Sequence, residues 1–248
     1  MKALQINTDA TIRREAISTD HHCVIVDEFL RNPDELVEFA ALHAGEFSNY
    51  DSGYPGRQFH VNDDLMGDVY RFIRFEMTQH FPFFKGSMIL WTLLSMVTLR
   101  PNELSARQRI CHTDPIPSPG RTVYAGLLYL FKNEDLGGTG FYRWKDKELL
   151  EKVAAVERED PERGWAYRQE KFPTFREPAR YMTDSNEIAE LCRTISPHFN
   201  RLIFYWGGVP HSGTISAPEL LSADVKRGRL TLNVFASVLP KTGTRPAN

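Results

Sequence analysis

The chain has 248 residues, 42% of them hydrophobic and 25% charged, with a formal net charge of −2. This is the composition of a globular protein able to bury a sizeable core, and the charge excludes a nucleic-acid binder that works through a global positive field. No apolar run approaches the roughly 20 residues of a membrane helix, Met1 to Arg14 holds no signal-peptide core, and Cys23, Cys111 and Cys192 form no CxxC pair. Reduced, buried thiols in a cytoplasmic protein with neither a membrane nor a nucleic-acid partner are expected.

In chain order, Val24-Ile25-Val26 is β-branched and reads as a strand. Asn32-Pro33-Asp34-Glu35 starts a helix, with Leu36, Val37, Phe39, Ala40 and Leu42 near helical spacing. Asp51-Ser52-Gly53-Tyr54-Pro55-Gly56 is a turn-rich loop. A second helix is predicted over 66–75, with Met66, Val69, Tyr70 and Ile73 on one face, and His80-Phe81-Pro82-Phe83-Phe84 ends it. Strand-like runs then follow at 89–99, 106–112, 122–131, 139–144, 202–206 and 230–238. Helices first and strands later give an α+β protein, mainly β, with an antiparallel barrel or sandwich. The segment 145–190 interrupts the strands. It is rich in charge, carries Leu149, Leu150, Val153 and Ala154 at helical spacing, and ends in Trp165, Tyr167, Phe172, Phe175 and Tyr181 among Arg and Pro. It reads either as an insertion packed on the barrel or as a lid, since long excursions from a compact scaffold are often functional.

Cys111-His112-Thr113-Asp114 closes the run 106–112, and Pro115, Pro117 and Pro119 stop any strand there. Residues two apart on a strand point to the same side, so His112 and Asp114 can reach one metal together. His211 follows Leu202-Ile203-Phe204-Tyr205-Trp206 and the corner Gly207-Gly208-Val209-Pro210. Two imidazoles and one carboxylate can hold one face of an octahedral metal and leave the other open, as in the facial triad of non-haem Fe(II) oxygenases. Further on, Arg229, Thr231 and Asn233 share one strand face, and Leu230, Leu232 and Val234 the other. An Arg beside a Thr offers a carboxylate a bidentate fork and a hydroxyl. Arg227 has the same parity as Arg229, so the choice between them stays open.

In this order, His112-Thr-Asp114, Tyr129-Leu130, Gly137-Gly138-Thr139-Gly140-Phe141, His211 and Arg229-Leu230-Thr231 resemble the Fe(II)/2-oxoglutarate-dependent dioxygenase superfamily, in its prolyl-hydroxylase-like branch. Val24-Ile25-Val26-Asp27-Glu28-Phe29-Leu30 followed by Pro33-Asp34-Glu35-Leu36 is similar to the entry of that branch's domain. The likeness covers most of 24–239 apart from the insertion. It implies a double-stranded β-helix, or jelly roll: a single oxygenase domain over 1–248, with an amino-terminal helical support region at 1–88, core at 89–144 and 191–240, and the insertion at 145–190. It implies His112, Asp114 and His211 as Fe(II) ligands, 2-oxoglutarate held by Arg229 with Thr231 beside it, and dioxygen as co-reactant. The reaction implied is hydroxylation of a C–H bond with release of succinate and carbon dioxide, because Asp114 fills the place that halogenases leave for chloride. The branch often has Lys, nearer the distal His, where Arg229 stands.

Tyr124 and Tyr129 are candidates to touch the cosubstrate, but their odd separation puts at most one in the site. Trp206 and Phe235 are expected in the core, and His60 and His198 in structural or surface roles. The sequence holds no HExxH helix, no phosphate-binding Gly-rich loop with Lys, and no Gly-x-Ser-x-Gly elbow. The substrate is a peptide, an amino acid or a small molecule, with Trp165, Arg168, Phe172 and Arg176 as candidate contacts. A homodimer through strand edges stays open. The competing readings are a non-enzymatic jelly-roll binding module and a cupin-like metal enzyme that uses no 2-oxoglutarate.

Overall fold

A computed structural model describes residues 4–50, 53–81 and 86–240. Among them are ten strands: β1 (Thr11–Ala16), β2 (His22–Asp27), β3 (Gly56–His60), β4 (Gly86–Val97), β5 (Thr122–Tyr129), β6 (Thr139–Trp144), β7 (Ala189–Ile195), β8 (Leu202–Trp206), β9 (His211–Gly213) and β10 (Arg229–Pro240). Four α-helices accompany them: α1 (Pro33–Leu42), α2 (Gly67–His80), α3 (Lys147–Glu159) and α4 (Pro161–Lys171). No helix among the described residues is long and apolar enough to cross a membrane.

The strands form two antiparallel sheets. The large one has the order β1-β2-β8-β5-β10-β4-β3, and the small one β7-β6-β9. His112 joins the small sheet through an isolated bridge to His211. From β4 onward the chain passes back and forth: β4 large, His112 small, β5 large, β6 and β7 small, β8 large, β9 small, β10 large. This is the double-stranded β-helix, an eight-strand jelly roll, with β1, β2 and β3 extending its large sheet.

Period-two alternation divides the large sheet's residues between two cores. Its outer face, including Val24, Val26, Leu94, Leu128, Phe204, Leu230, Leu232 and Val234, packs on Leu36 and Ala40 of α1 and Val69, Ile73 and Met77 of α2. Its inner face, including Ile25, Ala125, Tyr129, Ile203 and Tyr205, meets Phe141 and Ile195 of the small sheet. A third core joins Val153, Phe172, Phe175 and Met182 to Ile110, Cys111 and Tyr142.

Several expectations are corrected. The run 106–112 is not a strand. Ala106–Arg109 forms a 3-10 turn, because Gln108 Oε1 accepts from the Ser105 backbone N–H at 2.8 Å, and the Gln108 N–H returns to the Ser105 carbonyl at 3.0 Å. Four strands escape the sequence reading. β1 is half charged and mostly exposed, β7 mixes Glu190, Arg193 and Thr194 with apolar residues, β9 has three residues, and β3 begins at the end of the turn-rich loop. The second helix runs on to His80 rather than closing at 75. Cys23 and Cys111 are buried free thiols, whereas Cys192 is half-buried. Ser52 and Pro82, Phe83 and Phe84, read as loop and helix end, lie outside the described residues, as does Asp51.

Candidate metal centre

Two backbone devices bring the triad together. His112 and His211 exchange N–H···O bonds at 3.0 and 2.8 Å, fixing their side chains on neighbouring chains of the small sheet. Just before the first proline, the Asp114 N–H donates to the Gly207 carbonyl at 2.8 Å, which ties the carboxylate to the corner after β8. One ligand atom from each of His112, Asp114 and His211 then lies within 4.8 Å of the others. The imidazole centroids are 4.5 Å apart, and His211 Nε2 is 3.8 Å from Asp114 Oδ1.

The orientation suits a cation. His211 Nδ1 lies 2.8 Å from the Val209 carbonyl. A carbonyl only accepts, so Nδ1 carries the proton and Nε2 presents its lone pair toward Asp114. Asp114 Oδ2 is buried with no hydrogen-bond partner among the described residues, a costly state for a carboxylate oxygen unless a cation satisfies it. A Cβ at Gly207 would stand 2.5 Å from that oxygen, so the corner needs glycine for the carboxylate to fit. Tyr205 packs its ring edge-on to His211 at 4.9 Å, limiting the ring's rotation.

Burial lowers the His112 pKa to about 4, and the neighbouring His211 adds to the effect while Asp114 opposes it. His112 keeps exposed surface, yet the protein crowds its ring, and the crowding dominates. Burial also lowers His211 to about 4, against the Val209 hydrogen bond. Asp114 is pushed up to about 6 by burial, against the attraction of His112. At neutral pH both imidazoles are therefore unprotonated and the carboxylate is ionised, which is the donor set that a divalent transition metal binds.

Arg229 lies deeper, 3% exposed. Its Nε donates to the Leu136 and Gly137 carbonyls at 3.1 Å each and its Nη2 to the Gly138 carbonyl at 2.9 Å. Gly137 has φ +83°, the left-handed conformation that lets this turn present successive carbonyls. No acceptor among the described residues takes Nη1, and Phe131 covers one side of the guanidinium at 5.5 Å. Thr231 is fully buried on the same face. Tyr129 hydrogen-bonds Thr139 at 2.7 Å, and burial pushes its hydroxyl up to about 12, with the Thr139 bond and the Arg229 charge opposing. Tyr54 is likewise pushed up to about 12 by burial, against the Arg229 charge and a hydrogen bond to Thr231.

Sequence and structure can now be matched residue by residue. His112, Asp114 and His211 converge, and Arg229, Thr231 and Tyr129 share the interior with them. Tyr124 does not: it packs on Phe81 and Phe204 in the outer core. Arg227 is surface-exposed and paired with Asp224 at 3.0 Å. His60 is exposed beside Tyr50, and His198 pairs with Glu134. Trp206 and Phe235, expected in the core, are only half-buried. In the insertion, Arg168 is buried against Glu157 and Phe172 lies in the local core, so neither is free to meet a substrate, whereas Trp165 and Arg176 are exposed. Sequence reading missed Tyr54 and Tyr181. Tyr181 arrives from the insertion and donates to the Leu99 carbonyl at 2.7 Å. Neither belongs to a periodic run, so no sequence signal marked them.

Fold and site together define a jelly-roll protein with a cluster of two histidines and one carboxylate that could hold a metal ion. The chain belongs to the family of unknown function DUF6445, whose model matches residues 8–236. No curated protein matches it. Among solved structures it is similar to a Phytophthora capsici prolyl 4-hydroxylase (12% identity, TM-score 0.46), covering 87% of this chain and 58% of that one. A Pseudomonas putida prolyl-4-hydroxylase is similar at 14% identity and TM-score 0.46, covering 89% of this chain and 94% of that one. HygX from Streptomyces hygroscopicus, solved with nickel, 2-oxoglutarate and hygromycin B, is similar at 10% identity and TM-score 0.42, covering 91% and 85%. At these scores the likenesses carry no assignment of chemistry.

Proposed function

We propose that the protein is an Fe(II)- and 2-oxoglutarate-dependent oxygenase that hydroxylates a C–H bond of a peptide, an amino acid or another small molecule. The observation that carries this reading is the convergence of His112, Asp114 and His211 to within 4.8 Å, with an unsatisfied carboxylate oxygen among them. His112, Asp114 and His211 would hold ferrous iron, which with 2-oxoglutarate would supply activation of dioxygen, one oxygen atom going to the substrate and the other to the succinate formed as the 2-oxo acid loses carbon dioxide. The protein's own contribution is placement. His211 is held in one tautomer by Val209, Asp114 is fixed by Gly207, and the buried Arg229, with Thr231 and Tyr54 near it, offers a carboxylate its Nη1 and fixed charge in a site of low dielectric. Arg229 is favoured over Arg227 because it alone points inward. The rings of Tyr205, Phe141 and Phe131 keep the surroundings dry.

The insertion is a wall of the site in this reading rather than a loose cover. Its Met182 sulfur accepts the Cys111 N–H at 3.2 Å and its carbonyl accepts the Tyr142 hydroxyl at 3.1 Å. Arg109 Nη2 reaches the Thr174 and Glu177 carbonyls at 2.6 and 3.0 Å. These contacts fasten residues 174–182 to the chain that delivers His112.

The test is anaerobic addition of Fe(II) and then 2-oxoglutarate, followed by oxygen. A weak visible charge-transfer band and succinate production are expected. Metal binding without band or succinate would instead favour a metal enzyme that uses no 2-oxoglutarate, and no metal binding would favour a binding module.

A further inference from the structure

Between Arg229 and Phe235, the inner face of β10 carries the carboxamide of Asn233. Its Nδ2 donates to Ser95 Oγ at 2.8 Å, and Gln58 Nε2 donates to the same oxygen at 3.1 Å. Gln58, Ser95 and Asn233 are 5%, 0% and 7% exposed. Asn233 Oδ1 is buried and accepts from nothing among the described residues. Such an acceptor costs about 1–3 kcal/mol. A leucine of similar size would avoid that cost, so folding alone gives no reason for an amide here.

Its surroundings supply one. In register, Asn233 faces Leu93 on β4 and Leu127 on β5. Both leucines are half-buried, as are Trp91 and Phe235 in the next row, which stack at 5.3 Å. Ile89, two residues before Trp91 on the same face of β4, is exposed, so this part of the inner face lies open, and a ligand seated on it would close a chamber around the row of Asn233. Across the sheet from Phe235 stands Ala125, and beyond it Tyr205, the ring that packs on His211. Along the strand Asn233 is roughly 7 Å from the row of Phe235 and Tyr205 and roughly 14 Å from Arg229, at about 3.4 Å per residue. It therefore borders the triad's end of the chamber rather than the Arg229 end.

We propose that Asn233 is the specificity-determining contact for the substrate: its Oδ1 accepts a hydrogen bond from an N–H or O–H group, so the chamber takes a molecule with an amide, amine or hydroxyl donor beside the reacting carbon, not a bare hydrocarbon. The chemistry done on that molecule rests on the oxygenase reading; the contact itself does not. The Nδ2–Ser95 hydrogen bond holds the amide in place, with Gln58 fixing the same hydroxyl, and leaves Oδ1 as the end that meets the ligand. Rejection of donor-free analogues follows, because they leave the buried oxygen unpaired.

The experiment is ligand-observed NMR on Zn(II)- and 2-oxoglutarate-treated protein without oxygen, using a panel of small amides, amines and alcohols, each paired with its N- or O-methylated counterpart. Donors are expected to bind about tenfold more tightly than their capped partners, the equivalent of one hydrogen bond of about 1.4 kcal/mol. Asn233→Leu is expected to erase the difference while keeping or raising Tm, and Asn233→Asp, which retains an acceptor oxygen, to preserve it. A panel with no donor preference overturns the proposal, as does a preference that survives in Asn233→Leu. A fall in Tm for Asn233→Leu with unchanged preference assigns Asn233 to structure. The charge-transfer band with Fe(II) and 2-oxoglutarate, read on the same wild-type and Asn233→Leu samples, reports on the oxygenase reading separately.

Discussion

On one face of β10, Leu230, Leu232, Val234, Ala236 and Val238 are fully buried against the core that α1 and α2 complete. On the other face, Arg229, Thr231, Asn233 and Phe235 border the space shared with the small sheet. Neighbouring residues of a single strand thus serve two ends. The outer face is apolar throughout and stabilises the fold; the inner face tolerates a buried guanidinium, an unpaired amide oxygen and, nearby, an unpaired carboxylate oxygen. A strand that buries one side completely can carry unsatisfied polar groups on the other, and such local breaches of packing rules gather where ligands bind.

The sharpest way to break this division is to remove a ligand. Asp114→Ala or His211→Ala should abolish metal binding by calorimetry and bring turnover to background while the protein remains folded. Next in size is an outer-face change. Leu232→Ala should cost about 2–5 kcal/mol of stability in denaturant titration, yet leave metal affinity of the folded protein unchanged; a matching loss of affinity would collapse the distinction between faces. Arg229→Ala is expected to weaken 2-oxoglutarate by about ten- to a hundredfold, the equivalent of a hydrogen bond to a charged group, with metal still bound. It should also lower Tm, because the Leu136, Gly137 and Gly138 carbonyls lose their donor. Arg227→Ala should do neither, and the reverse result would transfer the anchor to Arg227. Gly207→Ala places a methyl against Asp114 and should weaken metal binding about ten- to a hundredfold, the range for groups that orient a ligand.

The effect of pH is graded rather than all-or-none. As pH falls below about 6, Asp114 takes up a proton, and metal affinity should decline about tenfold per unit, more steeply near pH 4 where His112 and His211 also titrate. In the metal-free protein the signs oppose one another. The two imidazoles have folded pKa values below 6.5, so the unfolded chain binds more protons and stability is lost as pH falls from 6.5 to about 4. Asp114 has a raised folded pKa, so its share of stability increases as pH falls from about 6 to 3.8. Two histidines outweigh one aspartate, and denaturant midpoints should drop between pH 6.5 and 4. A rising midpoint would show that the site is not buried as described.

Residues with strong local signals were legible in the sequence. The strands 139–144 and 202–206 begin and end as read, since aromatic and β-branched runs bounded by turns leave little choice. The split of Arg229, Thr231 and Asn233 from Leu230, Leu232 and Val234 followed from alternation alone. The same parity separated Tyr124 from Tyr129 without saying which one turns inward. The run 106–112 misled because a capping contact between Ser105 and Gln108 wins locally over strand propensity. β1 and β7 were missed because edge strands need polar residues, which erase the apolar alternation that reveals a strand.

The sequence by itself determined the residue types, their order and which residues of a strand share a face, because these depend on local spacing and on the two-residue period of a strand. It therefore supplied the three candidate ligands and two candidate basic residues, Arg227 and Arg229. Tertiary structure decided which of these meet. His112 reaches His211 only through a bridge between segments far apart in the chain, Asp114 is placed by a carbonyl at Gly207, and the turn at 136–138 captures Arg229 while Arg227 stays on the surface. Those contacts are long-range hydrogen bonds, and they exist only once both sheets have formed around one interior.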